Sequence, residues 1–162
     1  MINEISRMLM ETAYGNASRF QYEHLLGDAY CGGWVFYVNA EKGVTVVRNE
    51  ATNQKCVVRL SKGDKFDVYT GICIGLFNLL YGIPYWRLNR LMEQFALVDE
   101  THDPTAKFMC KYVEDALGIN RDDVESEYKI ASEHMGKGNT VVFGFVNKPS
   151  DNCIFSGEGT RH

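Results

Sequence analysis

The sequence predicts an α+β fold: a small antiparallel sheet, made of a three-strand meander and a late strand, packed with about five to six helices. Three observations carry this reading. Apolar residues recur at helical spacing near the N-terminus and again through most of residues 68–135. From Gly32 the pattern changes to aromatic and β-branched runs separated by turn residues. The order is two helices, a run of strands, four helices and one more strand, which is the arrangement of α+β chains.

The elements follow in chain order. Residues 2–13 place Ile2, Ile5, Met8, Leu9 and Ala13 on one helical stripe, which Gly15-Asn16 stops. A second helix is expected from about Ala17 to Leu26, ended by Gly27-Asp28. "WVFYVNA", "VTVVRN" and "QKCVVRL" then read as three strands, joined through Glu41-Lys42-Gly43 and through "EATN". Asp67 precedes an apolar helix over Val68 to Tyr81 and is placed to cap its free N–H groups. That helix is apolar on most of its circumference, so it should be buried against the meander.

Pro84 opens the next helix, with Trp86, Leu88, Leu91, Met92 and Phe95 expected to pack. Asp103-Pro104 starts another, which Gly118 ends. Asn120 caps a helix over residues 121–135, with Val124, Tyr128, Ala131 and Met135 as its inner stripe. "TVVFGFVN" is a strand that returns to the early sheet, and the tail after it is rich in turn residues. The chain thus divides into a helical segment (1–30), a meander with a buried helix (31–82), an acidic helical segment (83–135) and a strand with an irregular tail (136–162) of one domain, 1–162.

Composition narrows the function classes. The 162 residues are 45% hydrophobic and 23% charged, a globular balance. A net charge of −4 disfavours a generic nucleic-acid binder, which would carry a basic excess. Five cysteines, odd in number and without a CxxC, read as free thiols in a reducing compartment. Glu4, Arg7 and Glu11 break the N-terminal apolar stretch, so no signal peptide is expected. The longest apolar run is interrupted by Asn78, Gly82 and Pro84 and is too short to span a bilayer. A cytoplasmic protein is expected.

Charge is segregated along the chain. Residues 1–92 hold 10 Lys/Arg and 8 Asp/Glu, residues 93–134 hold 4 and 11, and residues 135–162 hold 3 and 2. The negative excess is therefore confined to one helical segment, densest at Asp122, Asp123, Glu125 and Glu127. Carboxylates near a helix N-terminus are favoured by the macrodipole, which accounts for Asp122 and Asp123 on a merely solvated face. It accounts less well for Glu125 and Glu127, because the effect fades after one turn. The functional reading is an acidic surface for a basic partner. These four residues are the candidate partner-binding site, and the aromatic meander around Trp34, Phe36 and Tyr37 is the second choice.

Catalytic and metal signatures do not accumulate. There is no GxSxG, and the histidines and cysteines lack metal-ligand spacing. "GKGNT" at 136–140 lacks the phosphate-loop spacing and precedes a strand rather than a helix. Asp64 and Asp67 could pair on a cation, but Lys62 and Lys65 interleave with them, so a capped turn is preferred. No cofactor and no metal are expected, and no enzyme class is selected.

The stretch "VTVVRNEATNQKCVVRLSKGDKFDVYTGICIGLFNLLYG" resembles a small domain common in phages and prophages of Gram-positive bacteria. Cys56, Gly63, Asp64, Phe66, Asp67, Gly71 and Gly82 carry the match, over about a quarter of the chain. The chain departs from that pattern in "VRLSKGD", where a cysteine often stands nearer the loop. In such proteins the segment looks like a structural module without a catalytic role. Short acidic phage proteins of this size resemble the type II anti-CRISPR class. The resemblance implies an inhibitor that binds a bacterial defence nuclease or its guide-RNA complex stoichiometrically, without direct nucleic-acid or membrane contact. The alternatives are a phage enzyme or small-molecule binder, and a virion or assembly component.

Overall fold

The computed structural model describes residues 7–10, 12, 33–61, 63–94, 104–135 and 138–146. Strands β1 (Gly33–Asn39), β2 (Val44–Asn49) and β3 (Lys55–Arg59) form the expected meander. Helices α1 (Val68–Tyr81), α2 (Tyr85–Gln94), α3 (Pro104–Leu117) and α4 (Arg121–Met135) follow, and β4 (Val141–Val146) closes the order. The sheet runs β3-β2-β1-β4 with every pair antiparallel, so the late strand does return beside β1. A further helical piece lies at residues 7–10, where Leu9 and Met10 join the core. The helix expected over 17–26, Phe95, Asp103 and the tail lie outside the described residues.

The hairpins are fixed by side chains as well as by backbone conformation. The buried Asn49 accepts from the N–H groups of Ala51 and Thr52 at 2.8 and 3.1 Å, and Asn53 takes a φ of 60°. An asparagine carboxamide thus adds to the backbone turn bond from Asn53 N–H to Asn49 C=O, and a second asparagine occupies the left-handed position it tolerates. At the other turn Asn39 Oδ1 accepts from Lys42 N–H at 2.9 Å.

Alternation then sorts the strands. Trp34, Phe36, Val38, Thr45 and Val47 face inward and are buried, while Val57 and Arg59 face solvent. Trp34 and Phe36 are each only 1% exposed, so these two residues offer no binding surface. The reason is strand period: these two residues point to the core side, and only Tyr37 lies on the other face.

Helix α1 packs across β2 and β3 on that inner face and carries α3 on its far side. Its close approach is set by Gly71 and Gly75, one turn apart. A Cβ on Gly75 would lie 2.5 Å from Val47 Cγ2, and one on Gly71 would lie 2.8 Å from Thr45 Oγ1. The rest of α1 is filled by Ile72, Cys73, Leu76, Phe77 and Leu80, all buried. Outside it, Phe77, Tyr81, Phe108 and Tyr112 form an aromatic cluster with centroids 4.7–6.3 Å apart.

Helix α2 departs from expectation at one residue. Leu88 and Met92 are buried as predicted, but Trp86 is 64% exposed. It lies in the first turn, two positions before Leu88, and so faces away from the buried stripe. Helix α4 packs on β4, with Tyr128 against Phe143 at 5.9 Å between centroids. Val124 and Tyr128 hold its inner stripe, while Met135 at the helix end is exposed.

Gly75→Ala tests the packing constraint. On an open helix this change would stabilise by about 1 kcal/mol through helix propensity. Against Val47 it should destabilise by about 1–3 kcal/mol, the range of overpacked cores. Chemical denaturation of Gly75→Ala, Val47→Ala and the double variant should show the double losing less than the two singles added. Additive losses would mean that the two residues are not pressed together.

Candidate functional site

Two sets of residues stood out in the sequence: the loop before α1 and the acidic stretch of α4. The structure brings the loop into contact with the first residue of α4. Ser61–Asp64 is a turn closed by Asp64 N–H donating to Ser61 C=O at 3.0 Å, and Gly63 takes a φ of 92° within it. Phe66 is half-buried against the core. Asp67 occupies the N-cap position of α1 in an extended conformation, yet its side chain makes no capping hydrogen bond.

That corrects the predicted role of Asp67, and the reason is competition for its oxygens. Arg121 grips the carboxylate with two parallel bonds, Nη1 to Oδ1 at 2.9 Å and Nη2 to Oδ2 at 3.0 Å. Thr70 Oγ1 donates to Oδ2 at 2.5 Å. Both oxygens are already engaged, and the planar guanidinium fits them better than a single backbone N–H. Partial burial pushes the Asp67 carboxyl up, but the bonds from Arg121 and Thr70 and the Arg121 charge outweigh it and hold the group below its ordinary value. The nearby Tyr69 N–H acts in the same direction electrostatically, although it falls short of capping geometry.

Arg121 does more than pair with Asp67. Its guanidinium stands 4.9 Å over the Tyr69 ring, and Tyr69 Oη donates to Glu114 Oε2 at 2.5 Å. Burial and that carboxylate push the Tyr69 phenol well above its ordinary value, so it stays a donor. One arginine thereby connects the starts of α1 and α4 with α3. Of the two loop carboxylates, Asp67 is the one paired with Arg121. Among the described residues, no group of three or more His, Cys, Asp or Glu side chains is placed to hold a metal ion.

The four acidic residues of α4 are all exposed, but they do not form one narrow row. Asp123 is tied into the helix start: Asn120 Nδ2 donates to Asp123 Oδ2 at 3.0 Å, and Asp123 N–H donates to Asn120 Oδ1 at 2.9 Å. Asn120 is thus the cap that the sequence predicts. Glu127 stands one turn beyond Asp123 on the same side, while Asp122, opposite the buried Val124, is nearer to Glu125, three positions on. Glu125 lies on the other flank, 3.8 Å from Arg121. The four carboxylates therefore stand as two exposed pairs, Asp123 with Glu127 and Asp122 with Glu125, and Glu125 is partly offset by a cation.

Sequence reasoning missed Arg121 as a partner of Asp67. The two are 54 positions apart, and no local spacing joins them. It also missed that Cys73 and Cys110, on adjoining faces of α1 and α3, interact. Cys73 is fully buried; its hydrogen bond with Cys110 and its burial push that thiol far above its ordinary value. No single helix among the described residues is long and apolar enough to cross a membrane; α1 and α2 reach that length only as a pair bent by 88°.

The Asp67–Arg121 pair should make stability acid-dependent. The folded carboxyl is depressed, so its contribution is present above the unfolded pKa of about 3.9 and is lost as pH falls through the lower folded value. The Asp67 side chain is 35% exposed, so solvent screening limits the gain to about 1 kcal/mol at neutral pH. Asp67→Asn should remove that difference at pH 7 and match the parent in strong acid. A constant gap across the acid limb of the unfolding curve would rule out the ion pair as its source. Thiol labelling supplies a second check: Cys73 should stay unmodified in native protein and react only after denaturation, and rapid native labelling would contradict its burial.

Compared with known proteins, the chain matches no family model, no curated protein and no solved structure.

Proposed function

We propose that this chain is a phage-encoded inhibitor of a bacterial defence nuclease, of the anti-CRISPR kind directed at type II effectors. It acts in the host cytoplasm by stoichiometric binding to the nuclease or its guide-RNA complex. The observation that carries the reading is the outer face of α4. Asp122, Asp123, Glu125 and Glu127 are exposed, while Val124 and Tyr128 dock the same helix on the core. The carboxylates are thus presented from a docked element, within a segment of 11 acidic and 4 basic residues.

Such a surface is complementary to a positively charged channel that receives a PAM-bearing duplex or a guide heteroduplex. Fixed carboxylates cover a basic groove at lower entropic cost than a flexible tail would, and they accelerate encounter by steering. The resemblance of residues 44–82 to a phage module supports the same origin.

Reversing Asp122, Asp123, Glu125 and Glu127 to lysine should abolish inhibition of nuclease cleavage while the circular dichroism spectrum and melting curve remain those of a folded chain. Among single variants, Glu125→Lys should cost least, because Arg121 already offsets Glu125. Association should slow steeply with salt, since screening shortens to about 8 Å at physiological ionic strength, and the quadruple variant should flatten that slope. A folded quadruple variant that still inhibits fully would sink the reading.

A further inference from the structure

Neighbouring residues of a strand point to opposite faces, so a strand ordinarily lines a cavity with every second side chain. The groove of about 950 Å³ beside β3 is lined instead by six consecutive residues, Cys56 to Ser61. Consecutive lining places the strand's main-chain edge in the groove. The register agrees. Asn49 N–H donates to Gln54 C=O and Leu60 N–H to Gly43 C=O, each at 2.8 Å, so residues 54, 56, 58 and 60 direct their backbone groups to β2. The N–H and C=O groups of Lys55, Val57 and Arg59 therefore point away from the sheet. β3 is the terminal strand, and among the described residues no strand pairs with that edge.

The rest of the groove has a definite chemistry. Ile74 and Asn78 of α1 form its floor, and Lys107 and Lys111, one turn apart on α3, form the far wall. The exposed Trp86 stands beyond the C-terminus of α1, and the Asp67–Arg121 pair closes the other end. The lining holds five Lys/Arg and three Asp/Glu side chains. Asp67 is bound by Arg121, and Glu114 accepts the Tyr69 hydroxyl. That leaves Arg59, Lys65, Lys107 and Lys111 facing Asp64 alone, a local basic excess in a chain of net charge −4.

We propose that this groove binds an extended acidic segment of a partner protein, which adds to β3 as a fifth strand. Strand addition takes affinity from main-chain bonds and specificity from the flanking side chains. Here the edge offers three N–H and three C=O groups, and the cations on either side select carboxylates. A second copy of this chain is refused, because pairing β3 antiparallel with itself sets Lys55 and Arg59 against their own like charges. A nucleic acid would use the cations but leave the strand edge unpaired, and as a long polyanion it would meet the net negative charge of the chain. The acidic residues of α4 do not line the groove, so this site and the inhibitory surface are tested separately.

The probe is a labelled ten-residue peptide of alternating glutamate and valine, with a lysine–valine peptide and a single-stranded oligonucleotide as comparators. The glutamate peptide should bind the full chain by anisotropy, shift Trp86 emission to the blue, and slow amide exchange at Val57 and Arg59. Methylating the peptide nitrogens on its β3-facing edge should weaken it at least tenfold. So should Arg59→Glu combined with Lys107→Glu, surface positions whose reversal leaves the core intact. Absence of glutamate-peptide binding overturns the proposal. So does binding without protection of those two amides, or tighter binding of the oligonucleotide.

Discussion

The fold depends on how closely α1 lies against β2. Gly71 and Gly75 remove the side chains that would hold the helix off Thr45 and Val47. Two glycines in a helix cost about 1 kcal/mol each in propensity, which is more than offset because the near approach seals five large or medium side chains of α1 from water. Full burial of such side chains is worth about 1.5–3 kcal/mol apiece. Once α1 is seated, the positions of the other elements follow. α3 rests on its outer side, α4 reaches its N-terminus through Arg121, and its exposed flank becomes the floor of the groove beside β3. A helix held one methyl further away would loosen each of these relations together.

The polar junction at the start of α1 complements that apolar seating. Helix packing alone permits sliding, because ridges and grooves repeat along the axis. The Arg121–Asp67 fork, the Arg121–Tyr69 stack and the Tyr69–Glu114 bond permit one register only. Their net energy is modest because Arg121 and Asp67 remain partly exposed. Their value lies in direction: a bidentate guanidinium fixes the first turn of α4, and with it the outward presentation of the carboxylates that follow.

Most of the architecture was legible in the sequence because local signals agreed with the tertiary outcome. The boundaries of α1, α3 and α4 follow from Asp67, Pro104, Asn120, Gly82 and Gly118, and the strands follow from alternation and from the two asparagine- and glycine-bearing turns. What could not be read was whichever property needed a partner distant in sequence. Asp67 looked like a side-chain cap because the cap motif is local and its arginine is not. Trp86 looked like core because composition, and not its angle on the helix, suggested burial. Trp34 and Phe36 looked available because an aromatic strand does not announce which face meets the helices. The acidic residues of α4 were visible as a charge excess, but the offset of Glu125 by Arg121 at the junction with α1 required the helix in place. The groove was invisible for the same reason: its cations come from β3, the following loop and α3, which no spacing connects.

The charge layout gives these two surfaces a common logic. A small chain that exposes a strand edge needs to discourage self-pairing, and Lys55 and Arg59 do so by like-charge repulsion. A chain that carries a strongly acidic helix needs to keep that helix from folding back onto its own cations. Here the fold separates them: Arg59, Lys65, Lys107 and Lys111 surround one groove, and Asp122, Asp123 and Glu127 face solvent outside it. Arg121 stands at the boundary, shared between Asp67 on the groove side and Glu125 on the helix side. Removing that arginine would do more than break one ion pair. It would leave Asp67 and Glu125 without their common cation and extend the negative field of α4 into the groove, so the two surfaces stay distinct only while Arg121 holds the junction.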